Sequence, residues 1–202
     1  MYLDDLMASG DLTGQVNSLA RDLRTRYDFP PVHQLGLIVP DVEKAAEELE
    51  AKGIGPFFIG GGAPKLWRER GRDLDFKGKI GIAYHQGLEI ELIEPGTGSD
   101  FYRDYVDPDG RIVLQHLGFL VDNVDAWAEK MAADNYPVWI RGKLRAGPLA
   151  ADYAYMDTVE DAGLLLEFIH WRFLGIRWNL PAGVYHAIGR LQKWSGKRSF
   201  SV

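Results

Sequence analysis

The chain of 202 residues contains no cysteine. That absence excludes a disulfide framework, a thiolate zinc site and a cysteine nucleophile. There is no basic excess either: 23 lysines and arginines stand against 29 acidic residues, for a net charge of −6. Binding a phosphate backbone needs a basic face, so nucleic acid is not an expected partner. No run approaches the ~20 apolar residues of a membrane span. The amino-terminal MYLDDLMASGDL has acidic residues and no apolar run, so it does not read as a signal peptide. These exclusions leave a cytoplasmic protein away from membranes as the expectation. What the chain does have is 46% hydrophobic and 12% aromatic residues, which suits a well-filled interior.

It also has a repeat. Residues 34–42 read QLGLIVPDV and residues 116–124 read HLGFLVDNV. LEIELIE at 88–94 is echoed by LLLEFIH at 164–170. Internal repetition fixes an architecture before any single residue is interpreted. The two echoes are offset by 82 and 76 positions, so the duplicated units differ by six residues of loop. The alignment superimposes Gln34 on His116 and Glu91 on Glu167.

Each unit reads as βαβββ. In the first, 32–39 is a strand and Asp41 caps a helix with Val42, Ala45, Ala46 and Leu49 on its apolar face. Strands at 56–61 and 79–85 follow, joined by a long polar loop through Trp67, Arg68 and Asp75, and 88–94 is the fourth strand. In the second, strands at 112–121, 137–141, 152–157 and 164–170 surround a helix bearing Val124, Trp127, Ala128 and Met131. The domain therefore spans 32–170, with unit one at 32–94, a Gly-, Pro- and Asp-rich linker at 95–111 and unit two at 112–170. Residues 1–31 form a helical extension, with Val16, Leu19 and Leu23 at helical spacing and Pro30-Pro31 as its stop. Residues 171–202 form a second extension, with Val184, Ile188, Leu191 and Trp194 on an amphipathic helix.

Strand alternation turns Glu91 away from Ile90 and Leu92, and Glu167 away from Leu166 and Phe168. A carboxylate among apolar neighbours is costly to bury unless its charge is compensated, and a divalent cation does this well. The same parity aligns Gln34 with Gly36, and His116 with Gly118. Those glycines lower the wall beside each candidate ligand and leave room for a small-molecule substrate. His33 is the rival of Gln34. It points to the opposite face and aligns with Gln115, though a bulge would exchange the two.

At these residues the chain resembles the vicinal oxygen chelate superfamily, which includes glyoxalase I, methylmalonyl-CoA epimerase, extradiol dioxygenases and bleomycin-resistance proteins. QLGLIVPDVEKAAEEL looks like its first strand and helix, IELIEP its fourth strand, HLGFLVDNVDAW its fifth and LLLEFI its eighth. GPFF at 55–58 and RDLDFKGKIGIAY at 72–84 give the chain the flavour of the glyoxalase-like group that includes methylmalonyl-CoA epimerase. The resemblance covers about 32–170. It implies an α+β fold in which two tandem βαβββ units form a curled eight-stranded sheet, the glyoxalase/bleomycin resistance/dioxygenase fold. It implies a metal in the cup held by Gln34, Glu91, His116 and Glu167, with a homodimer as the family tendency. Gln in the first place departs from the His of the epimerases and matches the glyoxalase I of animals.

Three oxygens and one nitrogen suit Zn, Ni, Co or Mn rather than a thiophilic metal. The expected activity is that of a metal-dependent isomerase or lyase that enolises a carbonyl or acyl-thioester substrate. Glu167, Glu91 and Asp75 are the candidate bases, Asp75 because it lies about where the epimerase base falls. The alternatives are a ring-cleaving dioxygenase, which would use iron and His33, and a small-molecule binding or resistance protein without chemistry. Arg141, Lys143 and Arg145 are read as a loop able to meet a carboxylate or phosphate. Trp67, Tyr84, Tyr153 and Tyr155 are candidate pocket walls, and His85 is given no role.

Overall fold

The two units meet at the centre of the sheet along an antiparallel seam. Strand β1 (Gln34–Ile38) pairs with β7 (Val113–Leu120), and each then pairs in parallel with the last strand of its own unit, β6 (Leu88–Thr97) or β10 (Leu165–Phe173). The computed structural model describes residues 1–201. The chain order begins with α1 (Leu3–Met7), α2 (Leu12–Ser18) and α3 (Arg21–Tyr27). Unit one then adds α4 (Val42–Ala51), β2 (Phe58–Gly62), β3 (Leu66–Glu69), β4 (Arg72–Asp73) and β5 (Lys77–His85). Unit two adds α5 (Val124–Ala132), β8 (Val138–Ala146), β9 (Leu149–Met156) and α6 (Val159–Ala162). The chain closes with β11 (Ile176–Arg177), α7 (Ala182–Ser195) and β12 (Phe200–Ser201).

Among the described residues the eight expected strands are all present, and four short ones enlarge the sheet to twelve. The stretch through Trp67 and Arg68 is not the polar loop that its composition suggests. It forms the hairpin β3–β4, which crosses to pair with β8 of the other unit. Since β2 lies toward one end of the sheet and β3 toward the other, residues 63–65 bridge the two ends. Three residues reach little more than ~13 Å between flanking Cα atoms, so the sheet must curl into a cup.

Alternation sorts the side chains onto two faces. On the outer face, Leu35, Leu37, Ile90, Leu117, Phe119 and Phe168 are buried against α4, α5 and the amino-terminal helices. Burying each such side chain is worth ~1.5–3 kcal/mol. The helix starts follow from their caps: the Asp41 carboxylate accepts from the backbone N–H of Glu43 and Lys44 at 3.0 Å, and Asn123 accepts from Ala126 at 3.1 Å. The inner face carries a second cluster that includes Ile38, Ile93, Trp67, Phe76, Phe101 and Tyr155.

The amino-terminal extension breaks where its periodicity suggests continuity. Ala20 adopts a left-handed conformation between α2 and α3, and the Arg24 guanidinium donates to the carbonyls of Val16, Asn17 and Leu19. Val16 O also accepts the Leu19 N–H at 3.1 Å, and the guanidinium serves the carbonyls that follow it at the end of α2. The carboxy-terminal helix α7 packs against β2, beside β12. Gln192 is fully buried and bonds both the N–H and the C=O of Ile59, at 2.9 and 2.7 Å. Gly189 permits this approach, since a Cβ there would lie 2.5 Å from the Phe57 carbonyl oxygen. Among the described residues, no helix is long and apolar enough to cross a membrane.

Candidate metal centre

The repeat brings its polar residues to one point. Glu91 from β6, His116 from β7 and Glu167 from β10 offer ligand atoms that all lie within 4.8 Å of one another. His116 Nε2 is 3.6 Å from Glu91 Oε2 and 3.3 Å from Glu167 Oε2. Donors held ~2.1 Å from one ion lie no more than ~4.2 Å apart, so these two separations suit a common cation.

Three atoms are buried here without a hydrogen-bond partner: Gln34 Oε1, His116 Nε2 and Glu167 Oε2. An orphaned buried polar atom is costly, and these are the atoms the four-residue set would present to a metal. A divalent cation would satisfy them and balance the charges of two carboxylates. The residues present therefore fit a metal.

The surroundings fix each donor. The register sets Gly36 opposite both Glu91 and His116, and Gly118 opposite both Glu167 and Gln34. A Cβ on Gly118 would come within 2.6 Å of Gln34 Oε1. Between Gly36 and Leu37 the β1–β7 register slips by one residue, leaving Gln115 as a bulge. The bulge lies on the second strand of the seam, not beside Gln34 and His33. It lets Gln115 turn to its neighbour, so that Gln115 Oε1 accepts a hydrogen bond from His116 Nδ1–H at 3.1 Å while Gln115 Nε2 donates to Phe101 O. His116 is then left with Nε2 as its free donor.

Gln34 is oriented by Glu89, a fully buried carboxylate with no counterpart among the repeat's polar pairs. Gln34 Nε2 donates to Glu89 Oε1 at 2.8 Å, which leaves Oε1 facing the cup. Tyr84 donates its hydroxyl to Glu89 Oε2, and His33 Nε2 stands 3.6 Å from the same oxygen. His33 therefore belongs to the shell behind Gln34, where Asn179 also meets it at 3.3 Å.

Electrostatics follow from crowding. Burial pushes the Glu91 carboxyl up to about 7, and the nearby Glu167 charge adds to that. Burial opposes a charged His116, but the adjacent carboxylates of Glu167 and Glu91 outweigh it and raise the imidazole to about 9. Tyr102 and Tyr155, whose hydroxyls are 2.9 Å apart, are pushed well up by burial, so both remain neutral donors.

The donors open into a cavity of about 290 Å³ with mostly apolar walls. Tyr153 and Tyr155 line it as expected. Trp67 instead stacks on Phe76 at 4.2 Å in the core behind, and Tyr84 is committed to Glu89. Asp75 is exposed between β4 and β5 and does not border the cavity, so it is not brought to the cluster. Arg141, Lys143 and Arg145 lie within β8 rather than on a loop, and alternation turns them to the outer face. There Arg141 bonds Asp125, and Lys143 is 3.7 Å from Asp152. The linker contributes to the site, because Tyr102 lines the cavity and Phe101 anchors Gln115. The carboxy-terminal extension contributes Leu180, Tyr185 and Ile188 to the wall. Neither contribution was visible in the repeat, because neither segment takes part in it.

Comparison with known proteins bears on the architecture. A family model described as the glyoxalase/bleomycin resistance protein/dioxygenase superfamily matches residues 32–155. No curated protein matches the sequence. Among solved structures, a mutant of 4-hydroxymandelate synthase from Streptomyces coelicolor is similar with a TM-score of 0.50 at 14% identity, covering 83% of this chain and 56% of that one. The methylmalonyl-CoA epimerase from Mycobacterium tuberculosis is similar with a TM-score of 0.45 at 15% identity, covering 68% of this chain and 85% of that one. At such identities the likeness to the synthase concerns the fold alone.

Proposed function

This chain belongs to the glyoxalase/bleomycin resistance protein/dioxygenase superfamily, and from that premise we propose that it is a metal-dependent isomerase or lyase that enolises a carbonyl or acyl-thioester substrate. The observation that carries the reading is the convergence of three partnerless buried atoms, Gln34 Oε1, His116 Nε2 and Glu167 Oε2, beside the Glu91 carboxylate. Gln34, Glu91, His116 and Glu167 would hold a divalent ion such as Zn, Ni, Co or Mn. Such an ion, when bound, acts as a Lewis acid that polarises a substrate carbonyl.

The rest of the chemistry falls to the side chains. Glu91 and Glu167 both stand close to His116 Nε2, and either carboxylate, on leaving the ion, would be placed to act as the base. One of them takes the proton from the carbon next to the carbonyl. The C–H electron pair moves into the forming C=C bond, the carbonyl oxygen gains the charge, and the same proton returns to a carbon of the enolate. Tyr102 and Tyr155 supply neutral hydroxyl donors within the cavity, and its apolar walls exclude water from the exchange.

A ring-cleaving dioxygenase would need a second imidazole at the metal, and His33 Nε2 is engaged with Asn179 and near Glu89. The enolising reading is therefore preferred. Elemental analysis of the wild type beside Gln34→Ala, His116→Ala and Glu167→Ala tests it, together with hydrogen–deuterium exchange at the carbon next to a substrate carbonyl. Near-stoichiometric Zn, Ni, Co or Mn, lost in the variants and required for exchange, is the expected result. Iron would favour the dioxygenase. No metal after reconstitution would leave a binding protein as the better account.

A further inference from the structure

Exposed hydrophobic surface is concentrated in one segment of this molecule. Of the ten large apolar side chains that stand exposed among the described residues, eight lie between Phe173 and Phe200. Charge is uneven in the same place. Residues 168–202 contain six cationic residues and no acidic one, while the other 167 residues hold 17 cationic and all 29 acidic residues. An acidic body therefore carries a basic, apolar segment.

Two elements present the exposed groups. The first is the β10–β11 hairpin, closed by the two-residue turn Leu174-Gly175. Both turn residues have positive φ, +49° and +82°, a geometry that favours Asn-Gly over Leu. Leu174 nevertheless stands 73% exposed at the tip and Ile176 74% exposed beside it, with Phe173 against Trp178 at 5.2 Å. The second element is α7. Its sequence sets Val184, Ile188, Leu191 and Trp194 on one expected face, but the helix docks by Tyr185, Gly189 and Gln192. Gln192 holds the backbone of Ile59 and Gly189 admits that of Phe57, and this contact leaves Val184, Leu191 and Trp194 facing outward. Trp194 is 85% exposed. Helical spacing places Arg190 and Lys193 along one flank of that stripe. The two elements border one cavity, through Trp171 at the foot of the hairpin and Tyr185 and Ile188 of α7.

Charge decides what this surface meets. Three carboxylates pair with its six cations: Asp152 with Arg172, Asp122 with Arg177, and Glu50 with both Lys193 and Arg198. Among the described residues, Arg190 and Lys197 are exposed and enter no ion pair. A second copy docked across a twofold axis would set the cationic surface against itself, like charge on like. An anionic bilayer matches both properties at once. Its headgroups attract the cations, and its interface accepts tryptophan and aliphatic side chains to a shallow depth. The same headgroups repel the acidic body, which turns the basic segment toward them. The expectation of a protein away from membranes came from the lack of a spanning run, and surface binding needs none. We infer that residues 173–200 dock the protein peripherally on an anionic lipid surface. Leu174, Ile176, Leu191 and Trp194 enter the interface, and Arg190 and Lys197 meet the headgroups. The inference does not depend on the reaction at the metal centre.

The test is co-sedimentation of the full-length protein with vesicles of equal parts phosphatidylglycerol and phosphatidylcholine, beside vesicles of phosphatidylcholine alone. The wild type is expected to bind the mixed vesicles about tenfold more tightly than the neutral ones, and to lose that preference in high salt. Arg190→Glu combined with Lys197→Glu is expected to abolish the preference. Leu174→Ser combined with Ile176→Ser, and separately Trp194→Ser, are each expected to weaken binding to mixed vesicles about tenfold. These side chains are exposed and stand apart from the metal cluster, so melting temperature and metal content should keep their wild-type values. No binding to mixed vesicles at low salt would overturn the inference, as would binding that both apolar variants leave unchanged. A dimer in analytical ultracentrifugation that Trp194→Ser dissociates, without vesicle binding, would assign the surface to a second copy instead. Binding to polyglutamate with none to mixed vesicles would assign it to an acidic protein.

Discussion

Gly36 lies directly beneath the imidazole of His116: a Cβ built on it would stand 1.7 Å from His116 Cε1. The ring occupies the space that any other residue at position 36 would fill. Gly36→Ala therefore must displace His116 from the cluster. Overpacking of this kind costs ~1–3 kcal/mol. We expect a lower melting temperature and loss of metal by elemental analysis, although residue 36 has no side chain to offer a ligand. Gly118→Ala should act likewise through Gln34.

Glu89 is expected to matter for metal affinity without touching the metal. Glu89→Leu removes the acceptor of Gln34 Nε2 and of the Tyr84 hydroxyl, leaving buried donors unpaired at ~1–3 kcal/mol each. With Gln34 free to turn, metal affinity should fall ~10–100-fold, as for other residues behind a ligand. Glu89→Gln keeps an acceptor for Gln34 and should restore most of the affinity. Titration with Zn or Co in a competition assay reads both variants.

Metal binding should be proton-linked with a definite sign. In the metal-free protein His116 is raised to about 9 and Glu91 to about 7. Both must be deprotonated to serve as ligands, so affinity should rise with pH across this window and binding should release protons. Raised folded-state values also mean that the metal-free fold holds more protons than the unfolded chain. These two groups then stabilise it most below their unfolded values, and that contribution is lost as pH rises through about 7 and about 9. The metal replaces those protons, so the gain in melting temperature on loading should grow from pH 6 to pH 9. A gain that shrinks over that range would contradict the assignment.

The carboxy-terminal helix should be separable from the metal site by mutation. Gln192→Leu leaves the N–H and C=O of Ile59 unpaired beneath α7, at ~1–3 kcal/mol each. Glu50 anchors the same segment through Lys193 of α7 and Arg198 just beyond it. Burial raises its pKa, but bonds from Lys193, the Phe57 N–H and Arg198 outweigh that and hold it below the usual carboxylate value. The Glu50 contribution is thus present above the unfolded value near 4.5 and lost as pH falls through the depressed one. Limited proteolysis should cut 178–202 first in Gln192→Leu, and in the wild type as the medium is acidified, with metal retained in Gln192→Leu at neutral pH.

The repeat made much of this site legible. It paired Gln34 with His116 and Glu91 with Glu167 by sequence alone, and strand alternation gave their common face. The cap Asp41 also followed from residue type and place. What escaped is what the repeat does not contain. Glu89 aligns with Leu165, so an argument from duplicated residues passes over it, although it bonds a duplicated one. The bulge at Gln115 is a property of pairing between strands, which no single strand records. Arg141, Lys143 and Arg145 look like a polar loop because a strand's outer face is polar too, and only the length of β8 decides between them. Asp75 was placed by a distance along the chain, and the β3–β4 excursion before it makes such distances poor guides to position in space.

That excursion has a consequence for the history and handling of the molecule. The ancestral halves of a tandem duplication can often be imagined as separate pieces, yet here the first half lends β3 to the second across some 75 positions of sequence. A break engineered in 95–111 would strand β3 on a fragment that lacks its partner, and would leave β8 with an open edge prone to pairing with other chains. Long-range pairing of this sort is slow to form, because the loop must close before the strand is rewarded. The duplicated halves are thus joined twice, at the β1–β7 seam and at β3–β8: their symmetry survives in the donors, and the β3–β4 hairpin breaks it.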